Sequence, residues 1–589
     1  MERRVLIAVF LSFLVLYGYQ TFIVPPPQPP PQAAAGQAGG SAATPSASTS
    51  AAVGSPAPAA PPASPAPDAA PAPPAVTTEA AERRIVVNTA TVEATLSNQG
   101  GRVLSWRLKD YKDERGEPLD LVPSAVPIEQ PRPFSLRVDD EAITTRLNSA
   151  IYRATGDVNG RVDATSAPAT VVFEFEDASG LRARKEFRFD PRNYIVVFSA
   201  SVTNGGNTLN PAVEWGPGLG DVGATSGGGS FFTGNYVQPP QAIYHRDGSV
   251  ERLTRDTLLE QPAHEGVLRF VGLDDHYFLA AAVNPGHVRA EFRPVTLPVE
   301  GSLETQRQLL SQTLRFAQPP QNARFFVGPK QFELLKSVDA ELVRAINYGM
   351  FGFLAVPLLS ALNWVHGFVG NYGWSIIVLT ILINMAIFPL RHKSVVSMRK
   401  MQLLQPQLKA IQERYAGLKI TDPARQKMNT EVMNLYRERG VNPASGCVPM
   451  LLTLPVLFAF YSLLSQSVEL RGATFGLWLH DLSLPDPYYV TPVLMGATMF
   501  WQQKITPTSA DPAQQKIMMF MPLMFSFMFL QAPSGLVVYW FISNLWAIGQ
   551  QYFTNWWIGP APMQTVRPPA ERKLKNVGAG RTPEADGKA

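Results

Sequence analysis

The residues best suited to chemistry in an apolar setting lie in the stretch ILINMAIFPLRHKSVVSMRK, residues 381–400. Here the amide of Asn384 interrupts an apolar run, seven residues before Arg391, the first residue of a basic block. Seven residues make about two turns of an α-helix, so both side chains lie on one face. An amide donates and accepts hydrogen bonds, whereas a guanidinium adds a permanent positive charge. Two alternatives stay open: Asn384 bonds a neighbouring helix, and Arg391 is an ordinary anchor at the cytoplasmic end.

Outside that stretch, the chain offers little for catalysis. LDDHYF places Asp274, Asp275 and His276 together, and GPGLGDVGATSGGGS is rich in glycine, but a strand end and a loop explain these two motifs. No GxGxxG pattern links a strand to a helix, and no lysine follows the glycines as a phosphate loop requires. We therefore predict that the protein is not an enzyme.

Composition narrows the function classes further. The seven histidines are scattered and the single cysteine, Cys447, excludes an internal disulfide, so we predict no metal site and no cofactor. A net charge of +4 over 589 residues argues against direct nucleic-acid recognition.

The amino terminus predicts a membrane anchor followed by a tether. Residues 5–24 are apolar and follow Arg3 and Arg4, and about twenty residues suffice to cross a bilayer. The length of the run and the missing small-residue cleavage site favour an uncleaved signal anchor, 1–24, over a cleaved signal peptide. Residues 25–80 are mostly Pro, Ala, Ser and Gly, which predicts a flexible linker.

Residues 81–340 change to short alternating runs. TVVFEFED sets Val171, Phe173 and Phe175 on one face, with Glu174 and Glu176 on the other. This period of two, broken by glycine and proline turns, predicts a large antiparallel β domain.

The remaining residues return to the membrane. Residues 341–370 are apolar but contain Pro357, Asn363 and His366, which favours a helix in the membrane interface over a span. Further spans are predicted at 371–390, 446–467, 488–503, 516–531 and 535–555. Two of these have about sixteen residues and reach only roughly 24 Å, so the bilayer must thin around them.

The loops set the orientation. Residues 391–445 hold eleven lysines and arginines against four acidic residues, which places them in the cytoplasm by the positive-inside rule. The loop 468–487 carries Arg471 as its one basic residue and belongs outside. The basic tail 557–589 falls inside. Six spans with both termini in the cytoplasm agree with the charge of every loop. This topology places the β domain on the opposite side of the membrane.

The cytoplasmic loop 391–445 predicts a helical hairpin. Met401, Leu404, Leu408 and Ile411 form an apolar stripe, and Asp422-Pro423 starts a second amphipathic helix. The hairpin either projects to meet a ribosome or a targeting factor, or lies on lipid headgroups. Its candidate docking residues are Arg399, Lys400, Lys409, Arg414, Arg425 and Lys427.

The carboxy-terminal third resembles the Oxa family of membrane protein insertases. The resemblance rests on VNPASGCVPMLLTLPVLFAFYSLLSQSVELR, LWLHDLSLPDPYYVTPVLMGATMFWQQKITPT, DPAQQKIMMFMPLMFSF and PSGLVVYWFISNLWAIGQQ, together with MRKMQLLQPQLKAIQERY. It implies a polytopic α-helical membrane protein with a five-helix insertase core, 371–556. It also implies that the β domain is a periplasmic supersandwich similar to sugar mutarotases.

The resemblance further implies a function and its partners. A nascent inner-membrane protein would enter a hydrophilic groove open to cytoplasm and lipid, and would be inserted and helped to fold. Partners would be the Sec translocon with its accessory subunits, the ribosome or signal recognition particle system, and membrane lipids. Residues matching or extending the client-contacting side are Leu454, Pro455, Met528 and Tyr539.

One position departs from the family pattern. Most members carry an arginine inside the groove, and Asn384 stands in its place here. We expect Arg391, at the groove mouth, to reach back toward Asn384 and supply the positive charge. Two other functions are alternatives: a secondary transporter and a membrane-tethered periplasmic carbohydrate-binding protein.

Overall fold

A computed structural model describes residues 75–77, 79–113, 115–123, 126–127, 130–219, 240–299, 302–415, 423–440, 448–476, 478–506 and 512–558. The predicted anchor 1–24, most of the linker and most of the basic tail lie outside these residues. The chain divides into two compact units. The first holds Met1–Gly352, Leu463–Thr474 and His480–Pro485, and the second holds Phe353–Ser462, Phe475–Leu479 and Asp486–Ala589.

The first unit is rich in β-strands. Its strands are β1 Ala75–Thr77, β2 Arg84–Thr89, β3 Val92–Ser97, β4 Arg102–Lys112, β5 Pro118–Asp120, β6 Ser135–Arg137, β7 Arg153–Thr155, β8 Arg161–Ala164, β9 Ala169–Asp177, β10 Leu181–Phe189, β11 Ile195–Asn204, β12 Asn207–Leu209, β13 Ala212–Trp215, β14 Gln241–Arg246, β15 Ser249–Leu253, β16 Ala263–Asp274, β17 Phe278–Val299, β18 Ser302–Phe316 and β19 Ala323–Pro329. Its short helices are α1 Glu141–Ser149, α2 Arg255–Glu260 and α3 Phe332–Val338.

Two sheets build this unit. The larger follows the order β1-β9-β10-β11-β19-β17-β16-β14-β15, with β6, β7, β12, β13 and β18 paired off that path. The smaller follows β5-β4-β3-β2-β8. The predicted β domain is therefore confirmed, but it is not wholly antiparallel, because β2 and β8 run parallel.

The alternation of apolar and polar residues in the sequence identifies the side chains that face the core. In β9 and β10, buried and more exposed residues alternate along each strand, as a sheet with one face on a core requires. Trp106 of β4 joins the sheets: its Nε1 donates to the carbonyl of Val327 on β19 at 3.0 Å, and its ring stacks on Phe189 of β10. Such aromatic packing explains how the domain is stabilised without disulfides.

A lysine also lies in this core. Lys185 of β10 is fully buried, and its Nζ donates to the carbonyls of Gly100, Gly101 and Phe134 at 2.6, 3.2 and 2.8 Å. Burial holds the pKa of Lys185 well below its usual range. Its amine therefore connects β10 to the turn between β3 and β4 and to the residue before β6. This role is structural.

The second unit is helical. Its helices are α4 Gly352–Val369, α5 Tyr372–Leu403, α6 Gln405–Arg414, α7 Pro423–Glu438, α8 Val448–Gln466, α9 Val490–Ile505, α10 Pro512–Met528 and α11 Ser534–Ile558. The last residues of α8 belong to the first unit. Of the described helices, α4 with its preceding turn and α5 are long and apolar enough to cross a membrane, and shorter apolar helices cover Pro455–Gln466 and Met518–Gln531.

The helix boundaries refine the predicted spans. The span predicted at 371–390 lies within α5, which continues to Leu403, so the helix extends about three and a half turns beyond the predicted end of the span. The predicted interfacial segment 341–370 holds two short 3₁₀ turns before α4 begins at Gly352. Helix α9 has 16 residues, as short as expected.

The hairpin consists of α6 and α7. Arg414 of α6 and Glu431 of α7 form an ion pair at 3.1 Å. Leu404 and Ile411 of the predicted stripe are buried. The proposed N-cap Asp422 lies outside the described residues.

Candidate functional site

A polar cavity lies among the helices of the second unit. Its volume is ≈ 290 Å³, and α5, α8, α9, α10 and α11 all contribute to its wall. We call it the polar cavity. Its lining residues are Ile383, Asn384, Ile387, Arg391, Val456, Leu457, Met499, Gln502, Gln503, Met518, Met521, Pro522, Tyr539, Trp540, Ser543, Asn544 and Ala547.

The structure brings Asn384 and Arg391 together in this cavity. Asn384 is buried, and its Nδ2 donates to the carbonyl of Thr380 at 2.8 Å, within the same helix. Its Oδ1 remains as an acceptor, and Arg391 Nη1 donates to it at 3.1 Å. Helical side chains lean toward the helix amino terminus, which is why Arg391 can reach back two turns.

Helix α5 remains helical between these two residues although it contains Pro389. A proline lacks the backbone N–H and leaves the carbonyl of the residue four positions earlier without its helical partner. The carbonyl of Met385 is thus available as a hydrogen-bond acceptor one residue beyond Asn384.

Arg391 is the only charged side chain among the residues lining the cavity. Within the part of the chain that the structure describes, no carboxylate pairs with it. A half-buried guanidinium with no counterion attracts negative charge more strongly than one in water. The cavity can therefore accept a polar or acidic segment.

The opposite wall is aromatic and amide-rich. The ring of Tyr539 on α11 stacks on Phe460 of α8, with centroids 4.3 Å apart. Asn544 is buried, and its Nδ2 approaches Thr498 Oγ1 on α9 at 3.3 Å. Tyr539 and Asn544 line the cavity, and Phe460 and Thr498 behind them hold these two side chains through a ring contact and a hydrogen bond.

The residues expected on the client side are placed differently. Tyr539 lines the cavity. Pro455 lies within α8, but its neighbours Val456 and Leu457 form the wall. Met518 and Met521 line it, whereas Met528 at the end of α10 does not. The side chain of Leu454 lies outside the described part of the chain.

The docking residues also separate into groups. Lys400, Lys409 and Lys427 are exposed, and Arg414 is largely exposed despite its ion pair. Arg399 was wrongly assigned to the hairpin surface: it lies in α5, is 8% exposed and donates to Asn555 of α11. The side chain of Arg425 is not among those described.

The LDDHYF motif has a structural role. Asp274 pairs with Lys330 at 2.8 Å, both fully buried, and Asp275 Oδ1 accepts from the backbone N–H groups of Tyr277 and Phe278. His276 Nε2 lies 2.7 Å from the carbonyl of Ser465, in the last turn of α8. Burial raises the pKa of Asp275 to about 6 and lowers that of His276 to about 4.

Sequence reasoning missed four polar lining residues. These are Gln502, Gln503, Ser543 and Asn544. Their signal was the same as that of Asn384, an amide or hydroxyl within an apolar run. Periodicity alone could not tell which of these groups face one another, because that depends on how separate helices pack.

Two family models together match most of the described chain. A family model described as 60Kd inner membrane protein matches residues 364–559, and one described as YidC periplasmic domain matches residues 84–361. A solved structure titled "Active YidC insertase crystal structure with the first transmembrane domain resolved" is 18% identical, with a TM-score of 0.33, over 82% of this chain and 95% of that chain.

Curated relatives are similar over nearly the whole chain. The membrane protein insertase YidC of Maridesulfovibrio salexigens is 35% identical and covers 94% of this chain and 98% of its own length. That of Citrifermentans bemidjiense is 37% identical, with 94% and 99% covered. This chain, with its sheet-rich domain and its helical polar cavity, belongs to the YidC family of membrane protein insertases.

Proposed function

We propose that this protein inserts nascent proteins into the inner membrane by passing their polar segments through the polar cavity, and that it helps them to fold. Its family consists of membrane protein insertases, not of enzymes. The main support for this mechanism is the cavity itself. Within apolar helices, one arginine lies there among amide side chains, and no carboxylate of the described residues pairs with it.

The physical reason is the cost of moving polar groups through hydrocarbon. Each unsatisfied backbone group costs several kcal/mol there. A hydrated cavity with amide side chains replaces part of the lost hydration during the passage. Short helices such as α9 and α10 would thin the surrounding bilayer and shorten the apolar path.

Apolar segments of the client would leave sideways into lipid. Met518 and Met521 on α10 border the cavity, and thioether side chains adapt to partners of varied shape. Together with Tyr539 and the helix carrying Leu454 and Pro455, they would form the contact surface for the client. Met528 would extend that surface at the end of α10.

The topology is part of the proposal. We infer an anchor at 1–24, a linker at 25–80, a periplasmic domain at 81–340, an interfacial helix at 341–370 and a five-helix core at 371–556, with a cytoplasmic tail at 557–589. Six spans would leave both termini in the cytoplasm. The excess of basic residues in the loop 391–445 supports this orientation.

The hairpin would be the docking surface for the machinery that delivers clients. Lys400, Lys409 and Lys427 are exposed, and such side chains suit an acidic surface on the ribosome or on a targeting factor. The Sec translocon would act beside the protein for some clients. The binding of lipid headgroups by the hairpin is the alternative.

A complementation experiment tests the role of the cavity charge. A strain depleted of its insertase receives this protein or the variants Arg391→Ala, Asn384→Leu and the double variant, and inserts a client with an acidic translocated segment. We expect Arg391→Ala to slow insertion about tenfold, equivalent to roughly 1.4 kcal/mol in the barrier. Asn384→Leu should slow insertion less, because the guanidinium remains.

Two controls make this result specific. Arg391→Lys keeps the charge and should retain most activity, and a client with a neutral translocated segment should be inserted by all variants at similar rates. If Arg391→Ala and the double variant insert the acidic client as fast as the parent protein, the cavity charge has no such role.

A further inference from the structure

A second concave surface, separate from the polar cavity, lies between α5 and α11. Its volume is ≈ 600 Å³, within the usual range of ligand pockets. We call it the apolar groove. Its lining residues are Ile377, Ile381, Met385, Phe388, Ile542, Leu545, Trp546, Gly549, Gln550 and Phe553. None of these residues lines the polar cavity.

Two polar side chains that line this groove have no hydrogen-bond partner among the described residues. Gln550 is 7% exposed, and both its Nε2 and its Oε1 lack partners within the described part of the chain. The indole Nε1 of Trp546 also lacks one. A buried amide without partners is destabilising, and an occupant with a carbonyl oxygen would offset that cost.

The cytoplasmic end of the groove is aromatic and basic. Phe388 and Phe553 contact each other across the two helices, with centroids 6.0 Å apart. The ring of His392 stacks on Phe388, and its Nδ1 has no hydrogen-bond partner among the described residues. Lys393 follows and is exposed.

The charged side chains of α5 and α11 are all basic. Helix α5 carries Arg391, His392, Lys393, Arg399 and Lys400, and neither α5 nor α11 contains an aspartate or a glutamate. Basic residues at the cytoplasmic end of paired membrane helices favour anionic lipid headgroups.

From these features we propose that the apolar groove is a binding site for one anionic phospholipid of the cytoplasmic leaflet. An acyl chain lies along the groove, and the amide of Gln550 donates to the ester carbonyl. The phosphate lies about one helical turn further, beyond Phe388 and Phe553, near His392 and Lys393. This proposal does not depend on how clients are inserted.

Gly549 provides the critical test. It is exposed, and a Cβ atom there would meet nothing within 4 Å, so a larger side chain enters the groove without disturbing the helix. Ala497 on α9 is also exposed and lines neither the groove nor the cavity. Gly549→Phe therefore fills the site, and Ala497→Phe is the matched control.

The measurement is native mass spectrometry of the full-length protein in detergent. Dioleoylphosphatidylglycerol or dioleoylphosphatidylcholine is added, and the fraction of protein retaining one lipid is recorded. We expect stronger retention of the anionic lipid, a reduction of about fivefold or more in Gly549→Phe, and no reduction in Ala497→Phe or Gly549→Ala. Lys393→Gln should lower retention of phosphatidylglycerol toward that of phosphatidylcholine.

Three results would overturn the proposal. These are equal retention of both lipids by the parent protein, unchanged retention in Gly549→Phe, and a co-purified polypeptide that is lost from Gly549→Phe while lipid retention stays the same. The last outcome would assign the groove to a transmembrane helix of another protein.

Discussion

At the scale of single residues, the contact between Asn384 and Arg391 could be predicted from the sequence because both residues belong to one helix. A spacing of seven residues puts them on one face of the helix. Because helical side chains lean toward the amino terminus, the side chain of Arg391 extends toward Asn384. The structure places Arg391 Nη1 3.1 Å from Asn384 Oδ1. Asn544 and Thr498 come from different helices, so no pattern in the sequence could bring them together.

His276 is a second residue whose role became visible in the structure. In the sequence it lies within LDDHYF, a motif that suggested a strand end. The structure sets its Nε2 2.7 Å from the carbonyl of Ser465, which is separated from it by 189 positions. Carbonyls in the last turn of a helix lack intrahelical partners, so His276 caps the carboxyl end of α8.

This cap makes stability dependent on pH. Burial lowers the pKa of His276 to about 4, below the unfolded value of about 6.5. The contribution of neutral His276 is therefore complete above about pH 6.5 and is lost as the pH falls toward 4. The difference of about 2.5 pKa units corresponds to roughly 3 kcal/mol.

Comparison with His276→Gln isolates this effect, because glutamine keeps an amide donor but does not titrate. We expect the unfolding midpoint of the full-length protein in detergent to fall, relative to that of the variant, as the pH is lowered from 7 to 4. Asp275, whose pKa shifts in the opposite direction, is present in both proteins and cancels. Parallel midpoints across this range would show that His276 does not contribute in this way.

At the scale of helices and strands, local patterns predicted where elements occur better than where they end. The alternation in β9 and β10 correctly identified their buried faces. The loss of hydropathy after Leu390 predicted the end of a membrane span but did not show where the helix itself ends, and the backbone continues in a helix to Leu403. A change of environment along a helix alters the residue types and leaves the backbone hydrogen bonds intact.

Helix packing in the second unit depends on one small residue. A Cβ atom at Gly496 of α9 would lie 1.9 Å from Oγ and 3.0 Å from Cβ of Ser526 on α10. Gly496→Ala must therefore either turn the Ser526 hydroxyl away from its hydrogen bond to the carbonyl of Pro522 or push the two helices apart. We expect a destabilisation of about 1–3 kcal/mol. Thermal unfolding in detergent measures it.

Two further variants separate packing from helix propensity. Ser526→Gly, combined with Gly496→Ala, removes the conflicting atoms and should recover much of the lost stability. Gly549→Ala replaces a helical glycine with open space around it, and it should be neutral or stabilise by up to about 1 kcal/mol. If all three variants behave alike, the close approach of α9 and α10 is not limiting.

At the scale of the whole molecule, composition and hydropathy predicted a β-rich region followed by apolar helices, and the two compact units follow this order for most of the chain. The exception is the return of Leu463–Thr474 and His480–Pro485 to the first unit. Composition could not predict this, because the segments are short and their contacts are distant in sequence. One such contact joins the backbone N–H of Phe332 to Glu469 Oε1 at 3.2 Å.

The division into units leads to a prediction that separates an insertase from the two alternative functions. If the polar cavity carries the function, deletion of residues 85–330 should leave most insertion activity intact, since every lining residue belongs to the second unit. Replacing α6 and α7, residues 405–438, by a flexible Gly/Ser linker should strongly reduce insertion while the cavity remains.

The two alternative functions predict other results. If the protein bound carbohydrate through its β domain, deleting residues 85–330 would abolish its function, and replacing α6 and α7 would do less harm. A transporter requires neither client nor hairpin, so insertion in the depleted strain would be absent for every version of the chain. Insertion of the acidic client, normalised to the amount of each protein in the membrane, measures these outcomes. An equal loss from the deletion and from the linker replacement would show that insertion needs the intact chain and not the second unit alone.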